Sequence, residues 1–200
     1  MHGLVNRAIE RFVRDTYGRD VWIATVRRLD LGVTGFEAMM TYEADVTEQV
    51  LEAVGERLDR GRNDLLEDIG TYLVSNPATE AVRRLMRFSG VDFVDFLHSL
   101  DDLPDRARLV VSDFDLPALV LHDHGAGTYC LHVDLPQGHG LRFGHVVMGL
   151  LRAMADDYGA LAIVDHKGSD ARCEFIEIRL LDEGFASGRA FDLGARRATS

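Results

Sequence analysis

The sequence predicts an α+β fold: an N-terminal helical part, then a four-stranded antiparallel sheet interrupted by one helix. Three observations predict it. Apolar residues recur at helical spacing through the first hundred positions. After Pro104 the texture changes to short apolar runs separated by glycine-bearing turns. One more helical stripe, Val147 to Met154, stands between two pairs of such runs. The chain has 200 residues, which one domain accommodates, and 46% hydrophobic residues, which excludes a disordered chain. The expected organisation is one domain over 1–182, helical over about 1–104 and sheet-bearing over about 105–182. The polar, Gly-rich tail 183–200 is expected to fray.

Val5, Ala8, Ile9, Phe12 and Val13 follow i, i+3, i+4, i+7, i+8, a helix with one buried stripe that Tyr17-Gly18 ends. A shorter helix, Val21 to Leu29, carries the only tryptophan, Trp22. Thr34 to Asp45 reads as a connection. Asp45 with Glu48, and Asp64 with Glu67, have capping-box spacing ahead of helices through Leu51, Val54 and Leu58 and through Leu66, Ile69, Leu73 and Val74. Asn76-Pro77 is a helix start, and the helix it opens carries Val82, Leu85 and Met86 to about Ser89-Gly90. Phe93, Phe96, Leu97 and Leu100 mark one more, read as stopped before Pro104. Leu116–Leu121 and Thr128–Val133 form a hairpin about His124-Gly125-Ala126-Gly127. Pro136 to Gly140 is a loop, the next helix ends at Tyr158-Gly159, and Leu161–Val164 and Phe175–Leu181 complete the sheet.

Lys plus Arg is 22 and Asp plus Glu is 33, a net charge of −11. That disfavours nucleic acid and anionic membranes as partners. Cys130 and Cys173 are too few for a disulfide framework and lie in no metal-ligand spacing. The start lacks a signal peptide's basic and apolar regions, and no apolar run is long enough to span a bilayer. The expectation is a soluble cytoplasmic protein.

Met1-His2-Gly3-Leu4-Val5-Asn6, then Tyr17-Gly18 and Trp22, resembles the opening of the H-NOX (heme nitric oxide/oxygen binding) domain family. Phe96-Leu97, Leu100-Asp101-Asp102-Leu103, Pro117, Leu131-His132 and Gly149-Leu150-Leu151 continue the resemblance in order, over about residues 1–181. It implies a heme held between a helical lobe and a helix–sheet lobe. The family's iron ligand is a histidine in Leu-Asp-x-Leu-His. Here the pattern reads Leu100-Asp101-Asp102-Leu103-Pro104, and proline offers no side-chain donor. The family clamps the heme propionates with Tyr-x-Ser-x-Arg after a strand histidine. Following His132, those positions hold Val133, Leu135 and Gln137. A hydrogen bond to a charged carboxylate contributes about 1.5–3 kcal/mol. A charge left buried and unpaired costs about 3–5 kcal/mol. Heme held in the family's manner is therefore expected to be badly weakened, and with it the iron–histidine bond through which the family senses nitric oxide.

The remaining histidines offer replacements. His139 and His145 flank the loop beyond the second hairpin strand, and His98 lies six residues before Pro104. Six residues turn a helix by about 600°, so His98 faces away from position 104. His122 and His124, with Cys130 and His132 across the hairpin, suggest a metal site, although solvated histidines are the commoner case. The acidic pairs Asp101-Asp102, Asp156-Asp157 and Asp113-x-Asp115 lie beside no plausible nucleophile or base, and no catalytic motif is present, so no enzyme is expected. The cavity positions the resemblance implies are Pro104, Val133, Leu135, Gln137, Val5, Ile9, Leu97, Leu100, Pro117 and Met148. Such a cavity would be apolar, fit for a neutral or fatty ligand or for none.

By resemblance, stand-alone bacterial H-NOX proteins regulate a partner such as a histidine kinase or a diguanylate cyclase. The expectation is a sensory and regulatory module of that kind. With no output domain in this sequence, its signal would leave through a separate protein. No cofactor is expected in the family's manner. Two alternatives stand beside this: an atypical heme-binding gas or redox sensor with another axial ligand, and a ligand-free adaptor.

Overall fold

The computed structural model describes residues 1–32, 34–88, 90–114, 116–134 and 141–191. Four of the positions read above, Ser89, Asp115, the loop 135–140 with Leu135, Gln137 and His139, and the end 192–200, lie outside the described residues. Eight α-helices and four strands are described. In order they are α1 Gly3–Tyr17, α2 Arg19–Leu29, α3 Ala44–Leu58, α4 Arg62–Ser75, α5 Glu80–Arg87, α6 Phe93–His98, α7 Leu103–Val110, β1 Leu119–Asp123, β2 Thr128–Asp134, α8 Gly144–Tyr158, β3 Leu161–Ser169 and β4 Cys173–Asp182. The strands form one antiparallel sheet in the order β1-β2-β4-β3.

The first residues explain why α1 starts where it does. His2 precedes the helix, and its Nδ1 accepts from the Leu4 amide at 3.2 Å, which satisfies one orphan donor of the first turn. Gly3 lies so near the 37–40 backbone that a Cβ there would come within 2.1 Å of the Glu37 carbonyl oxygen. Asn6 and Thr47, both fully buried, bond at 2.6 Å and fasten α1 to α3. Trp22, also fully buried, donates its indole N–H to the Thr34 carbonyl oxygen at 3.0 Å. Glu10 is tucked under the same connection, accepting from the Phe36 amide at 2.8 Å and from Arg14.

Two apolar clusters result. One holds Ile9, Phe12, Val13, Trp22, Val54, Leu65 and Ile69. The other gathers Phe96, Leu97, Leu131, Met154, Ile176 and Ile178 between α6, α8 and the sheet. Helices α4 and α8 join them at a crossing that needs two glycines. A Cβ at Gly70 would lie 2.0 Å from the Val146 carbonyl oxygen, and one at Gly149 would lie 1.9 Å from that of Glu67.

Four expectations need correction. Helices α3 and α4 begin after Glu43 and Gly61, so Asp45 and Asp64 sit inside the first turn rather than capping it. There they face the positive helix end instead. Pro104 stops nothing: it lies buried in the first turn of α7, a helix the sequence reading missed. Proline is tolerated there because it lacks only an N–H that has no helical partner. The exposed Leu109 and Val110 hid the periodicity of α7. Over its described part, 183–191, the tail folds back on the domain. Ala186 N–H donates to the Gly159 carbonyl, Arg189 N–H to that of Asp157, and Arg83 to that of Ala190. Asp157, 1% exposed, accepts from Arg83 Nε at 2.7 Å beneath this segment.

Gly149→Ala should destabilise the fold by about 3 kcal/mol, because the added methyl meets backbone rather than a side chain that can move. The urea midpoint reads this, and an unchanged midpoint would show that α4 and α8 can separate at no cost.

Candidate functional site

A cavity of about 410 Å³ lies where the two apolar clusters meet. Its wall takes Leu4, Val5, Ala8 and Ile9 from α1, and Leu66, Ile69, Tyr72 and Leu73 from α4. Val82, Leu85 and Met86 of α5 and Leu103 and Ala107 of α7 close another side. Phe114, Leu116, Pro117 and Leu119 lead into β1, and Leu141, Phe143, Val146, Val147 and Leu150 belong to the start of α8 and its approach. The polar members are Arg7, Arg11, Thr79 and Tyr72. The Tyr72 hydroxyl donates to Asp15 Oδ2 at 2.6 Å. Burial first, and that hydrogen bond second, push the phenol well above its ordinary range, so it keeps its proton.

Of the positions expected to line a cavity, Val5, Ile9 and Pro117 do so. Leu97, Leu100, Val133 and Met148 are filled core instead, all at 4% exposure or less. The sequence showed that they were apolar and on inward faces, but not which inward face met a void. Pro104 is buried on α7, whose Leu103 and Ala107 reach the wall. The α5 stripe and the Leu4–Ala8 row beside Val5 and Ile9 were visible as periodicity. Nothing in their spacing separated them from ordinary core.

Two of the proposed replacement histidines point elsewhere. His98 is half exposed beside Asp123, at 3.9 Å, and Tyr129. His145 stacks on His166 with ring centroids 4.8 Å apart, and its Nδ1 lies 3.0 Å from Glu67 Oε1. Both rings line a separate polar pocket with Glu174. There Glu174 accepts from the Gly144 amide at 2.7 Å, which places a carboxylate at the positive end of α8.

Comparison with known proteins decides the family. The profile of the Haem-NO-binding family matches residues 2–165. The chain belongs to this family. Soluble guanylate cyclase 89Da of Drosophila melanogaster is 22% identical over 129 residues, 63% of this chain but only 19% of that longer protein. Among solved structures, an H-NOX protein from S. oneidensis in the Fe(II) ligation state aligns with TM-score 0.77 at 18% identity, covering 92% of this chain and 97% of that one. An H-NOX mutant from T. tengcongensis aligns at 0.74 and 14% identity, over 92% and 99%. An oxygen-binding H-NOX domain related to soluble guanylate cyclases aligns at 0.68 and 15%, over 95% and 100%. The fold is therefore the H-NOX fold.

Among the described residues, the cavity wall offers no imidazole to a heme. No histidine or cysteine lines the cavity among the described residues. The Met86 thioether and the protonated Tyr72 phenol are the wall atoms an iron could meet, and neither matches a histidine donor. Val133, which the resemblance aligns with the first clamp position, is fully buried and its side chain carries no donor. Leu135 and Gln137 lie outside the described residues.

The other candidate chemistry is dispersed. Cys173 is pushed up to about 11, by burial first and then by its hydrogen bond with Asp134, and burial raises Cys130 as well. Neither is a thiolate near neutral pH, as metal binding or redox work requires. On the hairpin, the His122 and His132 rings lie tilted to one another with centroids 4.2 Å apart. No cluster of His, Cys, Asp or Glu suited to a metal ion occurs among the described residues. None of the described helices is long and apolar enough to cross a membrane.

Burial first, and then His122, lower the His132 pKa below 6.5. The unfolded chain therefore takes up a proton at that position before the folded chain does. Stability should fall as pH drops from about 6.5 toward the depressed folded value. His132→Gln should flatten that part of a melting-temperature profile recorded between pH 7.5 and 5. An unchanged slope would assign the sensitivity to other groups.

Proposed function

We propose that the chain is a sensory and regulatory module whose cavity takes an apolar, non-heme ligand and which acts on a partner protein. The observation that carries this is the wall itself: a void of about 410 Å³, of the size that small-molecule sites have, lined almost wholly by aliphatic and aromatic side chains. Such a void is costly to keep empty, since unfilled core volume forfeits dispersion contacts. A ligand there would touch α1 and α4 from one cluster and α7, β1 and α8 from the other. Its binding energy would therefore act on how the two lobes pack.

Family membership supports a sensory role. The partner class suggested by resemblance is a signalling protein such as a histidine kinase or diguanylate cyclase, met in the cytoplasm, with no nucleic acid and no membrane surface involved. The module itself is read as non-enzymatic: among the described residues its cavity holds no general base and no paired acids.

Two measurements test the reading together. Hemin titrated under reducing conditions should give no saturable Soret band. A panel of neutral apolar compounds should contain members that raise the melting temperature, because a ligand binding only the folded state stabilises it. Ala8→Trp, which fills the cavity from α1, should abolish that rise. A sharp one-to-one Soret band would overturn the reading in favour of a heme sensor with another axial ligand. Silence across the panel would favour the adaptor.

A further inference from the structure

The cavity wall is polarised in a way its apolar character conceals. Among the described residues it carries two arginines, Arg7 and Arg11, and no carboxylate. The chain as a whole has 33 acidic against 22 basic residues, so its average surface repels anions. Both arginines lie on α1, one helical turn apart, in the row that continues Leu4 and Ala8 along the rim. Arg7 is held in place, donating from Nη1 to the Phe36 carbonyl oxygen at 3.1 Å. Arg11 makes no hydrogen bond or ion pair among the described residues. Its field reaches the Tyr72 hydroxyl on the cavity wall. Of the acids on the helix, Glu10 is taken up by Arg14 and the Phe36 amide, and Asp15, one turn on from Arg11, accepts from that hydroxyl at 2.6 Å.

We infer that the ligand is an amphiphilic monocarboxylate, a fatty acid or a molecule of that build. Its apolar chain lies in the cavity and its carboxylate meets Arg11 at the rim, with Arg7 adding to the positive field. This rests on the reading of the cavity as a ligand site and narrows it. Guanidinium suits the head group because its planar fork matches a carboxylate and stays charged at every relevant pH. The aliphatic wall suits the tail, and each further methylene it buries tightens binding about fourfold. A neutral apolar ligand would use the wall and leave Arg11 idle. A cationic amphiphile would be repelled at the rim.

Calorimetric titration of the whole chain with dodecanoate, dodecanol and dodecylammonium at pH 7.5, each below its micelle threshold, separates these cases. Dodecanoate should bind about tenfold more tightly than dodecanol, a partly exposed pair being discounted for solvent screening, and dodecylammonium should bind worst. Arg11→Gln should bring dodecanoate to within about twofold of dodecanol and leave dodecanol unchanged. Arg11→Lys should restore part of the preference. Arg11 is an exposed helical residue, so neither substitution threatens folding. Equal binding of dodecanoate and dodecanol to the wild type would overturn the carboxylate assignment while leaving the cavity as an apolar site. A preference that survives Arg11→Gln would overturn the role given to Arg11. No saturable binding of any of the three would overturn both the assignment and the ligand-site reading beneath it.

Discussion

Everything in this molecule hangs on the contact between α4 and α8. Two glycines, Gly70 and Gly149, let the helix backbones approach to a distance no side chain permits. Around that contact, Thr71 donates to the Gly149 carbonyl at 3.3 Å, and Glu67 pairs with His145 and Arg152 of α8. Arg152 donates in turn to the Val164 carbonyl of β3 at 2.8 Å. One cluster is built on α4 and the other on α8, so the crossing sets the lobes' relative position. It also sets the cavity, whose wall takes residues from both helices within a few turns of the glycines.

That geometry gives the site its character. An H-NOX fold that offered an imidazole from α7 would hold an iron. This one presents Leu103 and Ala107 to the cavity with Pro104 buried beside them. The polar groups that remain are each engaged or peripheral: the Tyr72 hydroxyl bonds Asp15, Thr79 donates to backbone carbonyls, and the arginines of α1 lie at the rim. An aliphatic wall with arginines at its mouth would discriminate between ligands by their ends while accepting their bodies by size.

The C-terminal segment shows a second consequence of long-range packing. Arg83 leaves α5, whose neighbours Val82, Leu85 and Met86 line the cavity, and reaches the buried Asp157 near the end of α8. The same guanidinium holds the Ala190 carbonyl, and Phe191 lies against the cations of Arg83 and Arg87. Burial and the Asp157 pair act in opposite directions on Arg83, and its pKa ends raised, as a paired cation's should. One wall of the cavity is therefore wired to the segment that follows the sheet.

The helical periods, the Asn76-Pro77 start, the hairpin and the two strands after α8 were legible in the sequence, because each is decided by residues within a few positions of one another. So was the proline at position 104, since identity alone shows it. What lay beyond local reach was every feature set by residues far apart. Pro104 served as a helix start where its sequence context read as a stop, because only the burial of Leu103 and Ala107 rewards α7. Val5 and Ile9 came to line the cavity while Leu97, Leu100, Val133 and Met148 became solid core, though all six look alike as apolar, inward-facing positions. The sequence determined the elements, their order and the chemistry each could offer. Tertiary structure decided where two packed clusters fail to meet, because a void belongs to no residue and arises only from how elements far apart in the chain pack around it.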